Sequence, residues 1–176
     1  MDIKNIIENI NISILKVIEN DISILQRGLN EEIISNALTH YLKPLFPGYD
    51  VNAEYNGDIQ NEGDRKKIIV DRRRILEIKK KSNKNNIYKV RPDIIIHKPE
   101  TNDDNLVIFE VKKDNHEPIG KEYDLIKLEH MTINYLENHY NYKLGVAIIF
   151  GTLNNAGKYD VIYFQEGVKK ELNNLK

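Results

Sequence analysis

The stretches Arg91-Pro92-Asp93-Ile94-Ile95-Ile96 and Phe109-Glu110-Val111-Lys112 place charged residues inside two apolar, strand-like runs. Side chains alternate between the faces of a β-strand, so Glu110 and Lys112 share one face and the apolar residues beside them point to the opposite one. An isolated charge buried in a core costs several kcal/mol of free energy unless something compensates it. A divalent cation shared by Asp93 and Glu110 would provide that compensation. These two runs therefore predict a metal site.

Pro92-Asp93 followed by Glu110-Val111-Lys112 resembles the motif of the PD-(D/E)xK nuclease superfamily. Between the two halves, residues 99–105 are rich in turn-forming side chains and would join two antiparallel strands. The superfamily brings the halves of its motif together through such a hairpin. The alternative is a surface hairpin whose glutamate and lysine face solvent by chance.

A segment upstream of the motif, residues 30–42, predicts a helix, because its apolar residues recur at helical spacing: Ile34, Leu38, Tyr41 and Leu42. Glu31 lies three residues before the first of these and seven before the second, which places it on the inward stripe. Glu32 lies about 100° away and is the weaker candidate. Alternatively, Asn30 caps the helix and both glutamates only complement its dipole. The resemblance implies a further site carboxylate from such a helix, and Glu31 is the residue that fits.

Composition limits the fold and the setting of the protein. The chain has 176 residues, 40% of them hydrophobic, and no cysteine. This length allows one α/β domain with a substantial core, over residues 1–176, and is too short for two. Disulfides and thiolate-zinc sites are excluded. Because the sequence has neither an apolar run of about eighteen residues nor a signal-peptide pattern, we expect a cytoplasmic protein that does not bind a membrane.

Basic residues cluster immediately before the Asp93 strand, although the net charge of the chain is only -1. The interval 65–91 contains twelve Lys or Arg residues against Asp71 and Glu77. A cluster beside the predicted cleft would bind a phosphate backbone and make binding strongly dependent on salt. The residues that we predict to contact nucleic acid in this interval are Arg72, Arg73, Arg74, Lys79, Lys80, Lys81 and Arg91. A solvated charged surface is the alternative.

The remaining elements follow from periodicity and turn residues. An amphipathic helix is predicted over residues 3–26, ended by Gly28. Beyond the helix at 31–43, we predict a strand at 49–55, an ambiguous segment at 68–78, a helix at 121–140, a strand at 144–150 and an edge strand at 159–164. This order resembles the restriction-endonuclease-like core, an α/β fold with a central mixed β-sheet flanked by helices. The resemblance covers residues 30–165, preceded by the N-terminal helix within residues 1–27.

The resemblance implies metal-dependent hydrolysis of phosphodiester bonds in nucleic acid, in DNA rather than RNA. Asp93, Glu110, the backbone carbonyl of Val111 and Glu31 would hold Mg²⁺ or Mn²⁺, for which oxygen atoms are suitable ligands. Lys112 would position the attacking water and stabilise negative charge on the phosphate.

Two polar residues outside the motif are further candidates. The element Asp124-Leu125-Ile126-Lys127-Leu128 resembles an Asp-x-x-Lys-Leu element of some superfamily members, in which case Lys127 would bind a phosphate. An ordinary surface pair between Asp124 and Lys127 explains the spacing equally. His97 has the same strand parity as Asp93, but a structural histidine is the alternative.

Two other kinds of protein fit the same sequence. One is a non-catalytic nucleic-acid-binding or assembly module, although such a module has no physical reason to keep carboxylates that repel phosphate. The other is a nuclease subunit that is active only with a protein partner bound through the N-terminal helix. That helix also predicts a homodimer, because its apolar residues follow a short heptad-like pattern. The same residues would equally serve to pack the helix on its own sheet.

Overall fold

The computed structural model describes residues 1–55, 66–70, 87–99, 101, 103–116, 118–134 and 138–175, with the backbone alone described at 118 and 119. Most of the predicted basic cluster lies outside the described residues, namely Arg72, Arg73, Arg74, Lys79, Lys80 and Lys81. Its described members are Lys66, Lys67, Lys89 and Arg91.

The helices are α1 (Ile3–Asn20), α2 (Ile22–Gln26), α3 (Glu31–Leu42) and α4 (Pro118–Met131). The helix predicted over residues 3–26 is therefore wrong as a single element. It breaks at Asp21, whose carboxylate accepts a hydrogen bond of 2.8 Å from the Tyr41 hydroxyl. In the described part of the chain, no helix combines the length and apolar character needed to span a membrane.

The helix predicted over residues 121–140 begins earlier and ends at Met131. Local and tertiary hydrogen bonds accompany the early end. In the last turn the Thr132 hydroxyl donates to the Leu128 carbonyl at 2.9 Å, and farther along the chain two side chains bind a neighbouring strand. The Asn138 amide oxygen accepts from Ile69 N at 3.0 Å, and the Tyr140 hydroxyl oxygen accepts from Lys67 N at 2.9 Å.

Six strands of the described chain form one mixed sheet in the order β1-β4-β5-β6-β7-β8, flanked by helices. Its strands are β1 (Asp50–Ala53), β4 (Ile94–His97), β5 (Asn105–Lys113), β6 (Leu144–Phe150), β7 (Tyr159–Gln165) and β8 (Val168–Lys170). The β5–β6 pair is parallel and the other pairs are antiparallel. The central mixed α/β sheet is confirmed. The prediction of 159–164 as an edge strand is wrong, because β8 pairs along the outer side of β7.

A separate two-stranded ribbon consists of β2 (Lys67–Ile69) and β3 (Ile87–Lys89). The beginning of the ambiguous segment 68–78 is therefore strand, and residues 71–78 lie outside the described chain. The ribbon contacts α4. The predicted hairpin between the two halves of the motif is confirmed, since β4 and β5 are antiparallel with Ile94 opposite Phe109.

Apolar residues fill both faces of the sheet, in two separate clusters. One cluster joins α1 and α3 to the face that carries Ile94, Phe109 and Val111. The other joins α4 and the ribbon to the face that carries Ile95 and Ile108. The period-two alternation along β4 and β5 produces this division.

The apolar stripe of α1 lies inside the first cluster, with Ile3, Ile6, Ile10, Ile14 and Val17 buried. Helix α1 therefore packs on the chain's own sheet, which was the alternative to a homodimer for its heptad-like pattern. A homodimer or a protein partner at this helix would therefore contact its outer side, where Ile12 and Leu15 are 36% and 44% exposed.

Candidate active site

Asp93, Glu110 and Lys112 lie on the sheet face that is covered by α4. Phe109 and Val111 point into the opposite cluster, as strand alternation predicted. Asp93 immediately precedes β4, and its backbone N donates to the Phe109 carbonyl at 3.2 Å. Its carboxylate Oδ2 accepts from Val111 N at 2.7 Å. Backbone pairing between β4 and β5 thus fixes both halves of the motif against each other.

The Lys112 ammonium is surrounded by oxygen atoms. Its Nζ lies 3.3 Å from Glu31 Oε2, 3.4 Å from Asp93 Oδ2 and 3.2 Å from Asp124 Oδ2. It also donates to the Val111 carbonyl at 3.2 Å. Burial disfavours the charged form of this lysine, but the surrounding carboxylates, first that of Asp93, outweigh burial and raise its pKa. Lys112 is therefore a protonated cation at neutral pH.

Glu110 is the most deeply buried charged group of the site, with 1% of its side chain exposed. Lys127 Nζ lies 2.7 Å from Oε2, so this ammonium is the ionic partner of that oxygen, whereas Oε1 has no hydrogen-bond partner among the described residues. Burial raises the pKa of Glu110 well above its usual range, and the charge of Lys127 only partly opposes that effect. A buried carboxylate with one oxygen unpartnered could accept an additional cation or donor there.

Helix α4 contributes Asp124 and Lys127, which are both buried. Lys127 Nζ lies 2.7 Å from Asp124 Oδ1, so this pair forms, but it faces the site rather than solvent. Lys127 was predicted to bind a phosphate, and in the structure its charge is shared between Asp124 and Glu110. The sequence placed Asp124 in a motif without assigning it a role. Its contact with Lys112 makes it a member of the site.

Glu31 reaches the site from the first turn of α3. Its Oε1 accepts from Lys113 N at 3.2 Å and lies 3.0 Å from His116 Nδ1. Asn30 caps the helix by accepting from Ile33 N at 3.1 Å, as the alternative interpretation predicted, but Glu31 also contacts Lys112 and does not merely complement the dipole. Glu32 is exposed, as its position on the helix indicated. Sequence reasoning missed His116, since nothing in the local pattern brings a residue of that turn back to α3.

The charges of this site do not balance. Among the described residues, the carboxyl groups of Glu31, Asp93, Glu110 and Asp124 contact the ammonium groups of Lys112 and Lys127, and Glu31 also contacts His116. With His116 neutral and every other group ionised, four negative and two positive charges leave -2. A divalent cation would compensate that excess, and carboxylate oxygens are the ligands that Mg²⁺ and Mn²⁺ prefer.

The carboxylates are not arranged as a ready metal cage. Within the described residues, no three acidic or histidine side chains form a group that could hold a metal ion. The Lys112 ammonium lies among three of the four carboxylates instead. The donor set and its charge therefore fit a divalent cation, and binding one requires the Lys112 side chain to move.

The two remaining candidates, Arg91 and His97, contact residues other than the four site carboxyl groups. Arg91 pairs with Glu54 at 3.2 Å, and 61% of its side chain is exposed. His97 is buried, with Nε2 3.1 Å from the Asn52 amide nitrogen and its ring 5.1 Å from that of Tyr55. Burial, with a smaller contribution from the charge of Lys66, lowers the pKa of His97. The structural interpretation of this histidine is the one that its contacts favour.

Comparison of the chain with protein-family models, with curated proteins and with solved structures gave no match. The chemistry of the site has to be inferred from its own geometry. That geometry consists of four carboxyl groups, one of them deeply buried, around two lysines at one end of β5.

Proposed function

We propose that the protein is a metal-dependent nuclease with a restriction-endonuclease-like core, which hydrolyses phosphodiester bonds in DNA rather than RNA. The observation that carries this proposal is the placement of Asp93, Glu110 and Lys112. They share one face of a β-hairpin, where four carboxyl groups surround two ammonium groups. A purely structural ion-pair network has no reason to gather twice as many carboxyl groups as ammonium groups.

Asp93, Glu110, the Val111 carbonyl and Glu31 would hold Mg²⁺ or Mn²⁺. When bound, such a cation lowers the pKa of a coordinated water and offsets negative charge on the phosphate. The buried carboxylate of Glu110 is the strongest support for this ligand set, because a cation would supply the partner that its Oε1 lacks among the described residues.

Lys112 acts as a cation and a hydrogen-bond donor rather than as a base. The surrounding carboxylates raise its pKa, so it does not accept a proton at neutral pH. Once displaced from the carboxylates by the cation, its ammonium would stabilise negative charge that develops on the phosphate and would orient the attacking water. Asp93 cannot rotate freely, since Val111 N holds one of its oxygens at 2.7 Å.

The nucleic acid would bind along the basic interval 65–91. The described ends of that interval support this role, because β2 and β3 form a ribbon that packs against α4, the helix that carries Asp124 and Lys127. Arg91 is exposed and lies two residues before Asp93. Cations in this position would place a phosphate backbone near the acidic site.

The direct test is to incubate the purified protein with duplex DNA, single-stranded DNA or RNA, in Mg²⁺, Mn²⁺ or EDTA. We expect cleavage of DNA with either metal and none in EDTA. Isothermal titration should also show Mn²⁺ binding that Asp93→Ala weakens, with the exposed Asp103→Ala as the matched control. Wild-type protein that neither cleaves any substrate nor binds Mn²⁺ would rule out the proposal.

One observation favours a second candidate, the non-catalytic nucleic-acid-binding or assembly module. Lys112 and Lys127 already pair with carboxylates, so the site is partly compensated without a metal. A module of this kind would bind nucleic acid with the same affinity in EDTA as in Mg²⁺ and would cleave nothing.

Salt dependence tests the nucleic-acid surface separately from cleavage. Replacing Arg72, Arg73 and Arg74 with alanine should weaken binding equally for all sequences. The slope of log affinity against log salt should become shallower by about two to three units, one for each lost phosphate contact. The measurement is fluorescence anisotropy at several salt concentrations in EDTA. An unchanged slope would mean that this part of the chain is an ordinary solvated surface.

A further inference from the structure

His116 lies in a tight turn immediately after β5. Its backbone N donates to the Lys113 carbonyl at 3.1 Å, which closes the turn. Asp114 anchors the same turn, because its Oδ1 accepts from both Thr152 N and Thr152 Oγ1, at 3.1 and 2.8 Å. Its Oδ2 accepts from the Asn155 amide at 2.9 Å. The turn is thus held to the loop that follows β6, and the backbone of His116 is fixed.

The His116 ring is confined by the first turn of α4 as well. A Cβ atom at Gly120 would overlap His116 Nε2 and would lie 2.9 Å from its Cδ2. The backbone of Gly120 has an ordinary conformation, and glycine weakens a helix relative to alanine. The helix therefore has no conformational need for glycine here, and the space that the missing side chain leaves is filled by the imidazole.

The confined ring is directed at Glu31. Nδ1 lies 3.0 Å from Glu31 Oε1, and the same oxygen accepts from Lys113 N at 3.2 Å. The other oxygen, Oε2, lies 3.3 Å from Lys112 Nζ. The two Glu31 oxygens are thereby divided, because Oε1 is held by the turn after β5 and Oε2 faces the site.

We infer that His116 is a positioning residue for the metal-binding carboxylate of Glu31, with its proton on Nδ1. This inference rests on the proposed nuclease function. An ionised carboxylate offers only lone pairs, so the 3.0 Å approach of Nδ1 to Oε1 is attractive when Nδ1 carries a proton. By fixing Oε1, His116 leaves Oε2 directed at the position that Lys112 now occupies. Partners that orient a metal-ligating carboxylate commonly change metal affinity about 10- to 100-fold.

The test compares Mn²⁺ affinity, measured by isothermal titration, and cleavage kinetics for three variants of the full chain. His116→Ala should weaken Mn²⁺ binding by about 10- to 100-fold and lower kcat, with the KM for nucleic acid unchanged. His116→Asn should restore most of the affinity, since its amide nitrogen lies where Nδ1 was. His40→Ala, at an exposed position of the same helix as Glu31, is the control and should behave as wild type.

Gly120→Ala provides a test that changes no polar group. It should keep or raise the melting temperature, because alanine favours the helix, and should still weaken Mn²⁺ binding by displacing the ring. It also replaces His116→Ala if that variant fails to fold. In wild-type protein without metal, ¹H–¹⁵N correlation spectra of the histidine rings should show the His116 proton on Nδ1.

Each outcome has a separate meaning. If wild-type protein binds Mn²⁺ and cleaves, but His116→Ala and Gly120→Ala both match it, the inference is wrong and the nuclease proposal stands. A proton on Nε2 alone, or failure of His116→Asn to restore what His116→Ala loses, would also overturn it. If wild-type protein neither binds Mn²⁺ nor cleaves, the nuclease proposal fails and the inference fails with it.

Discussion

Neighbouring residues of β5 meet opposite surroundings on the two faces of the sheet. Phe109 and Val111 are fully buried in an apolar cluster beneath α1 and α3. Glu110 and Lys112 lie among charged groups on the side of α4. Burial on the first face stabilises the fold, whereas the second face gathers carboxyl groups whose mutual repulsion a bound cation would relieve. On β5, the side chains of one face therefore contribute to stability, and those of the other face belong to the candidate active site.

The largest expected effect is on the charged face. Glu110→Gln keeps the shape of the side chain and removes its charge, so we expect cleavage to fall at least about 10³-fold, as after loss of a group that acts in the transition state. The free energy of unfolding should change by less than about 2 kcal/mol, because Lys127 keeps its 2.7 Å contact with Asp124 and a desolvated charge is removed.

Single-turnover cleavage and urea denaturation measure these two quantities on the same preparation. Lys112→Ala should give a similar loss of cleavage, since its ammonium contacts the Asp93 and Asp124 carboxylates on the same face of the sheet. If either variant cleaves at the wild-type rate, the chemistry does not depend on this face of β5, and the comparison of the two faces fails.

The sequence predicted this division of faces but not all the members of the charged one. The alternation of Phe109, Glu110, Val111 and Lys112 is a local property of one strand, and it predicted which side chains face together. Asp124 enters the site because α4 crosses that face of the sheet, and His116 enters because a turn is tied to the loop after β6. Contacts that depend on the packing of distant elements leave no local pattern.

The helix boundaries show the same limit. The predicted helix over 121–140 counted Ile133 and Leu136 as part of a helical stripe, and the structure ends α4 at Met131. Residues beyond that end bind the edge of β2 through Asn138 and Tyr140. Those hydrogen bonds lie between segments about seventy positions apart in sequence, so periodicity within a window could not reveal them.

The second prediction concerns the apolar face. Phe109 is completely buried, so Phe109→Ala should lower the free energy of unfolding by about 3–5 kcal/mol through lost burial and the cavity that remains. At a temperature where the variant is still folded, its Mn²⁺ affinity should match that of wild type, because the side chain points away from the carboxylates. Urea denaturation and isothermal titration give the two values.

Phe109→Leu is the matched control, since it keeps most of the buried volume and should cost less than half as much stability. A loss of Mn²⁺ affinity in the folded Phe109→Ala variant would show that the two faces are coupled through β5. In that case the free energy of unfolding and the Mn²⁺ affinity would both depend on the position of β5.

The smallest expected effect concerns His97, which lies on the same sheet face as Asp93 but contacts Asn52 and Tyr55 instead of the acidic residues. Burial and the charge of Lys66 lower its pKa below 6.5, while Asp50 partly opposes them. The unfolded chain therefore binds a proton at a higher pH than the folded chain does. The contribution of neutral His97 to stability is fully present above about pH 6.5 and is lost as the pH falls below that value, toward the folded pKa.

We expect the free energy of unfolding of wild-type protein to fall more steeply between pH 6.5 and pH 5 than that of His97→Gln, which cannot take up the proton. The two proteins differ at this position alone, so the difference between the two curves isolates His97. Parallel curves would mean that His97 has the same pKa in both states and is accessible to water. His97 would then be a candidate for the site of Asp93 and Glu110. The structural role that its contacts with Asn52 and Tyr55 favour would be wrong.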